Sequence, residues 1–209
     1  MDLPEPPLLV ISDRHQARRP LIEVAQKAFA GGCRWFSLRE KDLPTDERCD
    51  LLAALVELGR RFGARVTTHD DVAAAIAIGA DGVHLPRGGE PCAVRAIFPR
   101  GLIGSSAHSA HSAAALLRAG ADYVTISPIF PTASKPGYGP AIGLDGLART
   151  VAATPGPVVA LGGITPDNAG LCRAAGAAGA AVMGEVMRAG DPEATVARLI
   201  RAFSAKSDD

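Results

Sequence analysis

The residues able to do chemistry gather behind short apolar runs. Ser12 leads into Asp13-Arg14, Leu38 into Arg39-Glu40-Lys41-Asp42, and Thr68 into His69-Asp70-Asp71. Further along come His84 and Arg87, then Ser106 and His108. A long Pro/Gly-rich stretch, 127–143, carries Thr132, Ser134 and Lys135, and Gly162-Gly163 and Gly184-Glu185 complete the series. Alternate residues at the end of an extended run point the same way, so Arg39 and Lys41 suit one shared anion. Lys135, between Ser134 and Pro136, suits a lid over such an anion. Glycines at 162, 163 and 184 let backbone N–H groups approach a ligand, and a monophosphate is the expected occupant. His108 has the imidazole required for proton transfer near neutral pH, but its neighbour Ser109 opens a helix, so a structural role at the cap competes. Asp70 also reads as the N-cap of a helix beginning at Val72, and His84 as a satisfied strand histidine.

These groups need elements that bring them to one place. Strands are expected at 8–12, 35–38, 65–68, 82–85, 102–105, 123–126, 158–161 and 180–183, and the clearest helices at 46–62, 109–119, 144–153 and 192–205. Apolar strands without alternation suit a parallel sheet covered by helices. A short repeat stands before every second strand: Ala30-Gly31-Gly32-Cys33, Ile78-Gly79-Ala80-Asp81, Ala119-Gly120-Ala121-Asp122 and Ala175-Gly176-Ala177-Ala178. Glycine there fits a left-handed helix cap and a tight turn into the next strand. Eight such units without a linker predict an α/β protein built as a single (β/α)8 TIM barrel over 8–203, with loose ends at 1–7 and 204–209; a doubly wound open sheet is the other arrangement of the same units. In a barrel every polar group named above falls at the C-terminal ends of the strands, where barrel enzymes place their chemistry.

Composition narrows the partners. The 209 residues carry 22 basic and 22 acidic side chains, a balance that argues against a general nucleic-acid or membrane-surface binder while allowing a local basic pocket. No apolar run reaches the ~18 residues of a membrane helix. Cys33, Cys49, Cys92 and Cys172 have neither C-x-x-C spacing nor a histidine at metal-ligand distance, and read as thiols in a reducing compartment. The start of the chain has no signal-peptide pattern, so a cytoplasmic setting is expected. Small phosphorylated molecules are the expected partners, and a homo-oligomer is left open.

Six segments, in this order, resemble the motifs of the thiamine-phosphate synthase and thiazole tautomerase superfamily. They are Leu9-Val10-Ile11-Ser12-Asp13-Arg14, Leu38-Arg39-Glu40-Lys41-Asp42-Leu43, Gly79-Ala80-Asp81-Gly82-Val83-His84-Leu85, Gly104-Ser105-Ser106-Ala107-His108, the run from Ser127 to Pro136, and Leu161-Gly162-Gly163-Ile164-Thr165. A synthase of this superfamily joins hydroxymethylpyrimidine diphosphate to thiazole phosphate and releases diphosphate. The resemblance implies that Arg39, Lys41, Ser106, Thr132, Ser134 and Lys135 hold the diphosphate, that Asp70 is a Mg²⁺ carboxylate, and that Gly163, Met183 and Gly184 hold the thiazole phosphate. The chain departs from the pattern at three points. Ser37 replaces a glutamine and His69 an asparagine, both of which bear on the pyrimidine. The second metal aspartate is missing from Pro86-Arg87-Gly88-Gly89-Glu90; Glu90 takes its place if the loop shifts by one residue, and otherwise Arg87 puts positive charge there. These departures raise a tautomerase reading, in which His108 moves a proton without metal or diphosphate, and beside it a noncatalytic phosphometabolite-binding or regulatory barrel. Thr132, Ser134 and Lys135 weigh toward diphosphate handling and the synthase.

Overall fold

Each short apolar run becomes a strand and each longer Ala/Leu-rich stretch a helix. The computed structural model describes residues 1–132 and 140–205. Its eight strands are β1 (Leu8–Ile11), β2 (Trp35–Leu38), β3 (Arg65–His69), β4 (Gly82–Leu85), β5 (Leu102–Ala107), β6 (Tyr123–Ile126), β7 (Val158–Leu161) and β8 (Gly179–Val182). They pair in parallel in sequence order, and β8 returns to β1, so the sheet closes into a (β/α)8 barrel and the open alternative is excluded. The helices are α1 (Leu21–Ala30), α2 (Thr45–Arg61), α3 (Val72–Ile78), α4 (Pro91–Ile97), α5 (Ala110–Arg118), α6 (Gly143–Ala152), α7 (Ala169–Ala174), α8 (Gly184–Met187) and α9 (Pro192–Ser204). Among the described residues none of them is long and apolar enough to cross a membrane. β5 runs two residues past its apolar stretch because Ser106 and Ala107 stay in register with Thr125 and Ile126.

Successive strand residues serve two layers. Val10, Phe36, Val66 and Val124 belong to the large cluster between sheet and helices, whereas Leu9, Trp35, Leu102, Tyr123, Val159 and Ala181 fill the barrel interior. Trp35 and Tyr123 meet edge to face with ring centroids 4.7 Å apart, a geometry worth about 1 kcal/mol beyond burial. Gly104 makes room for this pair, since a Cβ there would overlap the Tyr123 ring.

Each copy of the repeat has one glycine with positive φ: Gly32, Gly79, Gly120 and Gly176. Two copies add a carboxylate with a further task. Asp81 accepts from the Val66 backbone N–H at 2.7 Å and Asp122 from that of Ile103 at 2.8 Å, so each aspartate ties the strand it opens to its neighbour. Residues 1–7, expected to be loose, are tied down. Leu3 packs against the interior cluster, Ala180 N–H donates to the Pro7 carbonyl at 2.9 Å, and the Met1 amino group contacts Asp122. The physical reason is the barrel's open lower end, where Leu3 covers apolar side chains that water would otherwise reach. All four cysteines are free thiols.

Candidate active site

The motif after β2 contributes its charges selectively. Glu40 is 2% exposed and accepts from the Ser12 hydroxyl at 2.7 Å, from the Arg14 backbone N–H and from the Arg14 guanidinium at 3.1 Å. Asp42 receives both terminal nitrogens of Arg14, each at 2.7 Å, and His15 at 2.8 Å. Arg14 above all holds the Asp42 carboxyl well below the usual carboxylate range. The Arg39 backbone N–H donates to Ser12 Oγ at 2.7 Å, which fixes the start of the turn. Both carboxylates are thus occupied by the loop after β1, and the alternate residues, Arg39 and Lys41, line the cavity at the barrel mouth. The roles of Ser12, Arg14 and Glu40 are not visible in the sequence, because their partners lie 26 to 28 residues apart.

That cavity has a volume of about 380 Å³. Besides Arg39 and Lys41 its walls include His69, Arg87, Ser106, His108, Thr132, Gly163, Met183 and Gly184. The loops after β2, β3, β4, β5, β6, β7 and β8 therefore converge on one volume. Ser134 and Lys135 lie outside the described residues. Ser37 is buried and reaches the cavity only through His69, its Oγ 3.2 Å from His69 Nδ1.

The floor is a network of neutral groups. His84 Nδ1 lies 3.1 Å from the Tyr123 hydroxyl, and Nε2 lies 3.0 Å from Ser106 Oγ. Burial, and then the charges of Lys41 and Arg39, push the His84 imidazole down to about 3. His84 is therefore neutral at physiological pH, and it orients the Ser106 hydroxyl that the β5 extension brings into the cavity. Its ring lies 4.8 Å from that of His69. His84 is the satisfied strand histidine expected, and it also supports the cavity.

Two capping expectations resolve. Asp71, not Asp70, caps α3, accepting from Ala74 N–H at 3.0 Å while Arg48 pairs with its other oxygen at 2.9 Å. At α5 the cap is Ser109, in a reciprocal box with Ser112, which leaves the His108 side chain on the cavity wall.

The glycine turn after β7 is built against the loop after β6. Gly162 and Gly163 have φ of +100° and +67°, and a Cβ on Gly163 would lie 2.8 Å from that of Phe130. The Phe130 N–H donates to the Gly162 carbonyl at 3.0 Å, and Asn168 donates to the Gly163 carbonyl at 2.9 Å. The turn is thus fixed to the segment that presents Thr132. After β8 comes α8, a short extra helix whose first residue is Gly184; in many barrels such a helix completes a phosphate site with the loops after strands 7 and 8.

Asp70 lines a second hollow of about 310 Å³ with Glu40, Lys41, Arg48, His69 and Asp71. Glu40 and Asp71 are engaged as described, so Asp70 is the carboxylate that remains. Among the described residues no group of three or more His, Cys, Asp or Glu could hold a metal. Glu90 stands exposed at the N-cap position of α4 and does not line either hollow, whereas Arg87 does line the mouth. Such a donor set does not fit an all-protein metal cage. It does fit Mg²⁺ held by one carboxylate and a substrate's phosphate oxygens, the common mode for this ion.

A sequence model described as thiamine monophosphate synthase matches residues 8–186. The chain belongs to that family. A protein of Geobacter sulfurreducens is 44% identical over 205 residues, covering 97% of this chain and 96% of its own length. The thiamine-phosphate synthase of Moorella thermoacetica is 39% identical over 193 residues, covering 91% and 92%. The solved thiamine phosphate pyrophosphorylase from Pyrococcus furiosus superimposes with a TM-score of 0.85 over 94% of each chain, at 34% identity. In this member of the thiamine monophosphate synthase family the cations after β2 and the glycine turn after β7 line one cavity. Ser37 and His69 form a hydrogen-bonded pair, and His69 and Arg87 line the same cavity.

Proposed function

We propose that the protein is a thiamine-phosphate synthase, transferring the pyrimidinylmethyl group of hydroxymethylpyrimidine diphosphate to the nitrogen of thiazole phosphate with release of diphosphate. The observation that carries this is one cavity holding two anion-binding ends. Arg39 and Lys41, kept available by the Arg14 clip, form one, and the Gly163 and Gly184 backbone forms the other. A tautomerase acting on a single thiazole phosphate has no use for the first.

In this reading the C–O bond to diphosphate breaks, the electron pair leaves with the diphosphate, and the thiazole nitrogen forms the new C–N bond. Arg39 and Lys41, with the hydroxyls of Ser106 and Thr132, meet the charge that grows on the leaving group, the form of catalysis in which preorganised donors contribute most. Ser134 and Lys135 join them by family resemblance. The neutral His84 holds the Ser106 hydroxyl in place. His69 faces the pyrimidine with an imidazole in place of an amide, and Ser37, buried behind it, holds that ring. His108, on the wall, is placed to orient the acceptor. Asp70 would hold Mg²⁺, which when bound supplies neutralisation of the diphosphate charge. Glu90 is not assigned a part in holding the ion. We read the chain as one domain working in the cytoplasm.

The test is a coupled assay for thiamine phosphate from both substrates, with and without Mg²⁺. Stoichiometric product is expected, with Arg39→Ala lowering kcat about 100-fold, the loss typical of one preorganised donor. Conversion of a carboxylated thiazole phosphate alone would instead establish the tautomerase, and binding without turnover the regulatory barrel.

A further inference from the structure

Two cations on the cavity wall, Arg87 and Arg188, have no role in that scheme, and Arg188 is the one beside the glycine backbone. Arg188 directly follows α8 and lines the cavity beside Met183 and Gly184. The absence of a side chain at Gly184 lets it lie there, since a Cβ would come within 2.6 Å of the guanidinium carbon. Its guanidinium donates to the Gln16 side-chain carbonyl. The Gln16 amide nitrogen donates in turn to Asp13 at 2.5 Å and to the Met183 sulfur at 3.5 Å. Arg14, on the same loop as Gln16, is clamped by two carboxylates. Arg188, by contrast, is held by a neutral amide and forms no ion pair among the described residues. A neutral tether orients a guanidinium without cancelling its charge, and an oriented cation over a bare glycine backbone is a ligand for an anion.

We infer that Arg188 is a side-chain ligand of the phosphate monoester on the acceptor substrate, and that Gln16 is its positioning residue. The inference rests on the functional reading above and deepens it: the acceptor phosphate is met by a guanidinium as well as by backbone N–H groups.

Steady-state kinetics of Arg188→Gln test this. Because the residue is exposed, the expected effect lies at the low end for a charged hydrogen bond, about a tenfold rise in KM for thiazole phosphate. KM for the pyrimidine diphosphate and kcat stay unchanged. The wild-type preference for thiazole phosphate over the unphosphorylated thiazole alcohol narrows by the same factor, which a merely structural role would not produce. Arg188→Lys restores part of the loss. Gln16→Ala raises the acceptor KM in the wild-type background and adds nothing to Arg188→Gln, as two members of one contact require. An unchanged acceptor KM and unchanged preference in Arg188→Gln, or a loss confined to kcat, overturns the inference. If the wild type forms no thiamine phosphate, the functional reading fails separately. Calorimetric titration with thiazole phosphate alone then decides the role of Arg188: about tenfold weaker binding by Arg188→Gln supports it, and equal binding removes it.

Discussion

Arg39 and Lys41 are available because their sequence neighbours are not. Glu40 and Asp42 would offer the same mouth two negative charges, yet Arg14 and Ser12 take both, and the loop delivers net positive charge to the cavity. Strand-end alternation made the two cations legible in the sequence; the neutralising clip was not, because its halves are brought together only by pairing of β1 with β2. His84 shows the same limit, since its type is visible but its burial is not. Its imidazole is held at about 3 in the folded protein against an ordinary value of 6.5. Below pH 6.5 the unfolded chain binds a proton at His84 that the folded chain refuses until pH falls to about 3. The unfolded state therefore holds more protons through that window, and stability falls as pH falls. The His84 contribution between pH 7 and pH 5 amounts to about 2 kcal/mol. Urea unfolding at the two pH values should show the wild type losing about that much more stability than His84→Gln; equal losses would place the proton elsewhere.

At the scale of elements, the Ala-Asp ends of two repeats act as straps between strands. Asp81→Ala leaves the Val66 N–H without its partner, and a loss of about 2 kcal/mol is expected, the usual cost of an unsatisfied buried donor. Asp122→Ala should cost more, since Asp122 also pairs with Arg95 at 2.6 Å. Asp167→Ala serves as the comparison, because Asp167 is exposed and lies 3.8 Å from Arg198, and it should change stability by less than about 0.5 kcal/mol. Denaturant midpoints of the three variants check the order. The barrel itself was legible because each strand and each repeat carries its signal within a few residues. α8 was not, since four residues leave no helical period to read. The anchoring of residues 1–7 was not either, because a lone Leu3 acquires meaning only from an interior cluster assembled from distant strands.

Over the whole molecule 22 positive and 22 negative side chains cancel, but they are not evenly spread. Arg39, Lys41, Arg87 and Arg188 line the main cavity, and among the described residues Glu185 is the one Asp or Glu on its wall. Such a mouth attracts anionic substrates over a distance that salt shortens, from ~10 Å at 0.1 M to ~3 Å at 1 M. KM for the pyrimidine diphosphate should rise about fivefold between 50 mM and 500 mM potassium chloride, with a shallower dependence in Arg87→Gln. A flat salt series would mean that these charges are neutralised in solution. The interior below the cavity has a different consequence. Trp35, Tyr123, Leu9 and Leu102 are fully buried in the barrel and Leu3 packs against their cluster, so among the described residues the cavity is reached from the mouth. Two reactants and two products must pass through it in turn. Whichever molecule sits deepest, against His69 and His84, has to arrive before its companion and depart after it, so the fold itself imposes an order on the traffic.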